Sequence, residues 1–453
     1  MKSKDFFLQL GLIIFIAILN SCSSKDYTSS NIEKIFSTSI EPEEGDFLVA
    51  AEFKMWIPNN AKHIRAIIVH QHGCGRNGMS IPYDRHWRAL AKKWDCALLG
   101  TYFIANDSCA TWANPEYGSD KAYHKALKNI AKQSGFNELT NIPWLLWGHS
   151  GGAHWASTML SKYPQKTVAA YLRSGGKDLS KNTINVPVII DLGAGEENHP
   201  QFGRLWSRCV TNFENARKQQ AIIALAVNPE TAHDCGHSRL LAIPFFDACL
   251  SQRLPGIEDK NQTLKPMDVK KAWVGNNKTF EIRPFKGGNI NTLNTSILPN
   301  EKVAKIWREY VQTGWVTDKT APEKAPYNLE AEYISNSIVK ISWEADADLE
   351  SGIKQFYLYR DNEKIKEFIG PNDNFNKKNF QYGNFGDEPV PEALYENVNS
   401  WIPTSLVFFD YNLNPNKKYV YQIKMVNWSN LESAISEELM VKISDINSKE
   451  YAK

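Results

Sequence analysis

Apolar and polar positions alternate in blocks along the first two thirds of the chain. Short continuous apolar runs occupy residues 64–69, 97–102, 142–147, 168–172, 186–192 and 221–227. Between them, apolar residues recur at helical spacing. Trp87, Leu90, Ala91 and Trp94 share one face, and Tyr123, Leu127, Ile130 and Ala131 share another. A short run without alternation predicts a strand buried on both sides, and an amphipathic helix between two such runs predicts a parallel crossover. The block therefore reads as an α/β unit with a mostly parallel sheet and helices on both faces. A hairpin, 47–56 and then 64 onward, is expected to start the sheet at an antiparallel edge.

The period then changes. Around residues 317–326 the composition shifts to Thr, Lys, Pro and Ala, which predicts a linker. Beyond it, Val339-Lys340-Ile341-Ser342-Trp343, Phe356-Tyr357-Leu358-Tyr359 and Tyr419-Val420-Tyr421-Gln422-Ile423 alternate with period two, which predicts an all-β region. A long insert, rich in Asn, Gly, Phe and Tyr, is expected at 370–401. All ten histidines lie between His63 and His237, so the β region cannot host a histidine-dependent mechanism by itself.

The chemistry concentrates at Gly148-His149-Ser150-Gly151-Gly152, directly after the apolar run Ile142-Pro143-Trp144-Leu145-Leu146-Trp147. After it, Ala153, Ala156, Met159 and Leu160 keep helical spacing as far as Pro164. A strand that ends in G-x-S-x-G and turns at once into a helix is the nucleophile-elbow pattern. Only small residues fit beside the serine, and the turn holds the Ser150 hydroxyl clear of the backbone. A serine hydroxyl needs a base, and the base needs an acid that fixes its tautomer. After the run 186–192 comes Gly193-Ala194-Gly195-Glu196-Glu197-Asn198, where Glu196 is the candidate acid, with Glu197 and the in-strand Asp191 as alternatives. After the run 221–227 come His233, the favoured base, and His237, the alternative beside a helix start. The loop His70-Gln71-His72-Gly73-Cys74-Gly75 offers an oxyanion donor at the Cys74 N–H, with His72-Gly73 shaping it. The second donor is the Gly151 N–H.

These residues and their order resemble the α/β-hydrolase superfamily. The stretch 233–255 resembles a branch of secreted bacterial esterases, in which the catalytic histidine matches His233. The resemblance implies an α/β-hydrolase fold and a carboxylesterase that uses no cofactor. Pro326-Tyr327-Asn328-Leu329, Ile341-Ser342-Trp343, Tyr359-Arg360-Asp361 and Tyr419-x-Tyr421 ending in Val426-Asn427 resemble a fibronectin type III domain, an immunoglobulin-like sandwich, over about residues 325–444. The implied substrate is an ester, such as an acetyl or feruloyl group on a polysaccharide. A polyester depolymerase or a peptidase would carry the same triad, and a non-catalytic surface-binding lipoprotein is the alternative from another class.

The N-terminus adds a location. Lys2 and Lys4 precede an apolar stretch, 6–19, that is short for a membrane span and reads as a signal segment. Leu19-Asn20-Ser21-Cys22 resembles a bacterial lipobox, which implies lipidation of Cys22. Cys22-Ser23-Ser24-Lys25-Asp26 resembles the surface-export signal of Bacteroidetes-type lipoproteins. The expected location is the outer membrane or cell surface, with the membrane contacted through the lipid only. The expected divisions are 1–22 signal segment, 23–42 tether, 43–315 hydrolase domain, 316–326 linker and 327–446 β-sandwich.

Net charge is +2 over 453 residues, so no field draws the chain to nucleic acid. Six cysteines remain besides Cys22. An exported protein permits disulfides among them, for example Cys74–Cys109. His70, His72, His199, His233, His237 and Cys235 could ligate a metal, but no H-E-x-x-H occurs and no metal is expected. Fourteen Trp and eighteen Tyr, among them Trp112, Tyr117, Trp144, Trp155 and Trp206, suggest an aromatic ligand surface.

Overall fold

The computed structural model describes residues 34–105, 109–259, 263–287, 292–369 and 406–443. The expected signal segment, Cys22 and the insert 370–401 lie outside the described residues.

The first sheet has eight strands: β1 (Ile35–Ile40), β2 (Leu48–Trp56), β3 (Ala66–Gln71), β4 (Cys96–Ala105), β5 (Trp144–His149), β6 (Thr167–Arg173), β7 (Val188–Gly193) and β8 (Ile223–Asn228). Their spatial order is β1-β2-β4-β3-β5-β6-β7-β8. Strands β3 to β8 run parallel, whereas β1 and β2 form an antiparallel edge. This mostly parallel sheet fits the α/β-hydrolase core that the sequence resembles.

Two expectations are corrected at the edge. The stretch 23–42 is not all tether, because β1 lies inside it and pairs with β2 along its whole length. Its mixed sequence, Ile-Phe-Ser-Thr-Ser-Ile, suits an edge strand that is partly exposed and carries little apolar signal. The expected hairpin is also not formed, since β2 pairs with β4 and β3 is placed between β4 and β5. The physical reason is burial. All six positions of β3 are buried, so it takes an interior place with strands on both sides.

Alternate residues of the central strands feed opposite faces. Ile67, Val69, Leu99 and Leu146 enter one apolar cluster, while Ala66, Ile68, Leu98 and Leu145 enter the other. The covering helices are α1 (Arg85–Trp94), α2 (Cys109–Trp112), α3 (Ser119–Ser134), α4 (Gly151–Lys162), α5 (Gly203–Lys218), α6 (Arg239–Arg253) and α7 (Glu301–Thr313). Local capping fixes their ends. The Asp84 carboxylate accepts from the His86 and Trp87 N–H groups at the start of α1, and Asn300 accepts from Val303 N–H at the start of α7. Three of the aromatic residues suggested for ligand contact are core instead: Trp112 is 3% exposed, and Trp144 and Trp155 are fully buried. A large ring on a helix or strand facing the sheet goes where burial stabilises it most.

After α6 the chain forms a small antiparallel sheet of β9 (Trp273–Asn276), β10 (Ile282–Pro284) and β11 (Thr295–Leu298). No periodic pattern announces these strands, because they are of three or four residues. The remaining strands are β12 (Tyr327–Ser335), β13 (Ile338–Glu344), β14 (Gln355–Arg360), β15 (Glu363–Ile369), β16 (Val407–Asp410), β17 (Lys418–Val426) and β18 (Leu439–Lys442). They make two antiparallel sheets, β12-β13-β16 and β15-β14-β17-β18. Val339, Ile341 and Trp343 from one sheet and Phe356, Leu358 and Ile423 from the other share one apolar cluster.

This β-rich region rests on the α/β region. The Leu349 carbonyl lies 2.9 Å from His86 Nε2, Lys302 Nζ meets Glu350 at 2.6 Å, and Lys92 pairs with Asp346. Asp318, within the stretch expected as a linker, is 7% exposed and accepts from Ser351 Oγ and Asn427 Nδ2.

Candidate active site

Strand β5 delivers Ser150 at its carboxyl end, and α4 begins at the next residue. Ser150 has φ 53° and ψ −117°, outside the helical and extended regions. Such a backbone costs about 1–3 kcal/mol and persists only when its surroundings enforce it. Here they do. The Ser150 N–H donates to the Arg173 carbonyl at 2.8 Å. A Cβ on Gly148 would come within 2.4 Å of the Gly152 oxygen, and a Cβ on Gly152 within 1.9 Å of the Gln71 oxygen. Both glycines of the elbow are thus required by close backbone approach.

Three of the sequence-derived residues meet. His233 Nε2 lies 2.9 Å from Ser150 Oγ. Its Nδ1 bonds the Glu196 carboxylate, whose second oxygen accepts the Gly193 N–H at 3.2 Å. Glu196 is 1% exposed. A carboxylate at Nδ1 selects the tautomer with the proton there, which leaves Nε2 as the acceptor facing the serine. The residues come from the ends of β5, β7 and β8, which sit on one edge of the sheet because those strands run parallel.

The alternatives lie elsewhere. Glu197 is exposed. The His237 ring stands edge-on against Trp315 at 4.5 Å. Asp191 is fully buried, accepts from Tyr171 and Tyr310 hydroxyls at 2.7 and 3.1 Å, and pairs with Arg173 at 3.0 Å. Position inside β7 turns its carboxylate toward these partners and away from the histidine.

The candidate oxyanion residues flank the serine. Gly151 opens α4, so its N–H belongs to the first turn, which lacks intrahelical acceptors. Gly73 packs on Ser150, and a Cβ there would approach Ser150 Cβ to 2.9 Å. The adjacent Cys74 is disulfide-bonded. The side chain of Cys109, the partner expected from the sequence, lies outside the described residues. Cys235 is buried and outside any disulfide, as are Cys96, Cys209 and Cys249.

Two residues of the site escaped the sequence reading. Phe202 stacks on His233, with ring centroids 3.7 Å apart and planes 6° apart. Nothing in the run Asn198-His199-Pro200-Gln201-Phe202 announces this. Arg173 is the other. It is fully buried at the end of β6 and donates to the Asp234 carbonyl at 2.7 Å, Thr231 Oγ1 at 2.8 Å and the Ala232 carbonyl at 3.2 Å. It therefore holds the chain on both sides of His233. A lone Arg closing an apolar strand was the available signal. His149 is 6% exposed, and burial, followed by the neighbouring His233, His72, Arg173 and Arg76, holds its pKa well below the usual imidazole range. His154, one turn into α4, is pushed down to about 4 by burial and then by Arg208.

No protein-family model and no curated protein matches the sequence. Among solved structures, the chain is similar to the poly(3-hydroxybutyrate) depolymerase LpqC of Bordetella parapertussis, at 16% identity and TM-score 0.37, over 50% of this chain and 92% of that one. It is also similar to poly(aspartic acid) hydrolase-1 of Sphingomonas sp. KT-1, at 15% identity and TM-score 0.31, over 44% and 93% of the two chains. A thermostable esterase matches at 18% identity and TM-score 0.32, over 43% of this chain and 54% of its own. At these TM-scores the likenesses carry no argument about the reaction.

Proposed function

We propose that this protein is a serine carboxylic-ester hydrolase that works through an acyl-enzyme. The observation that carries the reading is the continuous chain of bonds from Ser150 through His233 to Glu196 at a strained strand-to-helix turn. Ser150 Oγ attacks the ester carbonyl while His233 Nε2 takes its proton, and the buried Glu196 carboxylate stabilises the imidazolium. The N–H groups of Gly151 and Cys74 receive the oxyanion, each worth roughly 3–4 kcal/mol of barrier. His233 then returns the proton to the leaving alcohol. Water, activated by the same histidine, releases the acid.

The substrate proposed is an acetyl or feruloyl ester of a polysaccharide. Its support is the lipobox-like Cys22, which would anchor the enzyme at the cell envelope, together with a β-rich region that we assign to the fibronectin type III class on its sheets of three and four strands. Burial of Trp112, Trp144 and Trp155 removes part of the aromatic argument for this substrate. The hydrolase reading is tested with p-nitrophenyl acetate and a fluorophosphonate probe. Ser150→Ala is expected to lower kcat by roughly 10⁶-fold, since triad members act as a unit, and to abolish labelling. Turnover that survives in the variant would sink the proposal.

A further inference from the structure

Beneath the candidate triad lies a second group of side chains that the proposed reaction does not use. His72 follows β3, His149 ends β5, and Cys235 stands two residues beyond His233. They are 2%, 6% and 0% exposed. One ligand atom from each lies within 4.8 Å of the other two. Cys235 Sγ is 3.9 Å from His72 Nδ1. A nitrogen and a sulfur ligand on a tetrahedral zinc, with bonds of about 2.0 Å and about 2.3 Å, stand about 3.5 Å apart. The His72–Cys235 pair is within about 0.4 Å of that spacing, whereas atoms as far as 4.8 Å apart must draw in by about 1 Å. The second observation concerns His149: neither ring nitrogen has a hydrogen-bond partner in the structure. A buried imidazole left in that state carries a desolvation cost that a bound group would remove.

We propose that His72, His149 and Cys235 form a binding site for a zinc-class cation, and that filling it inhibits the hydrolase. One thiolate and two neutral imidazoles suit a borderline or soft cation and disfavour magnesium or calcium, which take oxygen ligands. Three protein ligands leave a fourth coordination position for water. Binding releases the Cys235 proton: the cation and the thiol give a metal thiolate and H⁺, so the filled site adds one positive charge. The guanidinium groups of Arg76 and Arg173 act on His149 in the same sense and weaken the affinity. The His149 ring lies 5.3 Å from that of His233. A cation ligated there disfavours the His233 imidazolium that forms during acyl transfer. This inhibitory half rests on the hydrolase reading, whereas the binding half does not.

Cobalt(II) titration of chelator-treated protein, without a thiol reductant that would open the Cys74 disulfide, reads binding directly. The expected result is a thiolate-to-cobalt charge-transfer band that saturates at one equivalent and is displaced by zinc. Cys235→Ser should lose the band, and His149→Gln should weaken binding at least tenfold, with circular dichroism confirming that each is folded. Ser150→Ala should keep the band. No saturable band in the native protein, or a band that persists in Cys235→Ser, overturns the site, with a buried water then satisfying His149. Zinc should lower native p-nitrophenyl acetate turnover and leave unaffected whatever rate Cys235→Ser retains. Binding without a fall in turnover overturns the inhibitory half. If native protein binds cobalt but turns over no ester, the hydrolase reading fails while the site stands.

Discussion

At the scale of single residues, the site is built by exclusion as much as by contact. Gly152 leaves no room for a methyl group against the Gln71 oxygen, so the helix can press on the loop that carries Gly73 and Cys74. Gly152→Ala is expected to destabilise the protein by about 1–3 kcal/mol, the usual cost of overpacking against a rigid neighbour, read as a lowered midpoint in thermal or urea unfolding. An unchanged midpoint would mean that the elbow can relax. Phe202 acts by contact. Its face lies parallel to His233, so its negative π surface would face the imidazolium that the proposed reaction forms there. Such contacts are worth about 0.5–1 kcal/mol at partly exposed sites. Phe202→Leu should therefore lower kcat roughly two- to fivefold at constant KM. A change confined to KM would place the ring in substrate binding instead.

At the scale of elements, the parallel strands explain why the three candidate residues that meet were legible and the rest was not. Strand ends of a parallel sheet fall on one edge, so a motif found at the end of β5 fixes where its partners must come from, namely the turns after β7 and β8. Chain order narrows the acid to Glu196 or Glu197 and the base to His233 or His237. The members of these pairs differ by one residue and four residues, and only side-chain direction separates each pair. The edge strand β1 hid in a mixed sequence because one side of it meets solvent. Arg173 stayed hidden because its role is to bond carbonyls of a loop distant in sequence, which no local pattern encodes. Its guanidinium makes a fork to the Thr231, Ala232 and Asp234 positions that lysine cannot reproduce. Arg173→Lys should keep the buried charge opposite Asp191 yet let the His233 loop drift, lowering kcat by up to about 10²-fold. The check is kcat against KM in protein shown to be folded. Equal kcat would leave Arg173 a purely structural ion pair.

At the scale of the whole molecule, the two regions are joined through a buried polar knot rather than an open hinge. Asn427, fully buried, donates from Nδ2 to Asp318 at 2.9 Å, to Asp348 at 2.8 Å and to the Thr320 carbonyl at 3.0 Å. Asp348 is 5% exposed, and burial pushes its pKa up to about 8, with the adjacent Asp318 adding to the rise against the bond from Asn427. A carboxyl whose pKa is higher in the folded state binds more protons folded than unfolded. Stability from this group is then fully present below about pH 4, the ordinary carboxyl range, and is lost progressively as pH rises toward 8. Above that value the Asp348 carboxylate is charged and the loss is complete. Asp348→Asn keeps an oxygen to accept from Asn427 and supplies a permanent donor toward Asp318, so its stability should not fall over this interval. Calorimetric unfolding at pH 5.5 and pH 8.5 compares the two proteins: the native Tm should drop more than that of the variant. Parallel drops would mean that the knot is ionised throughout, and that the join between the regions is insensitive to pH.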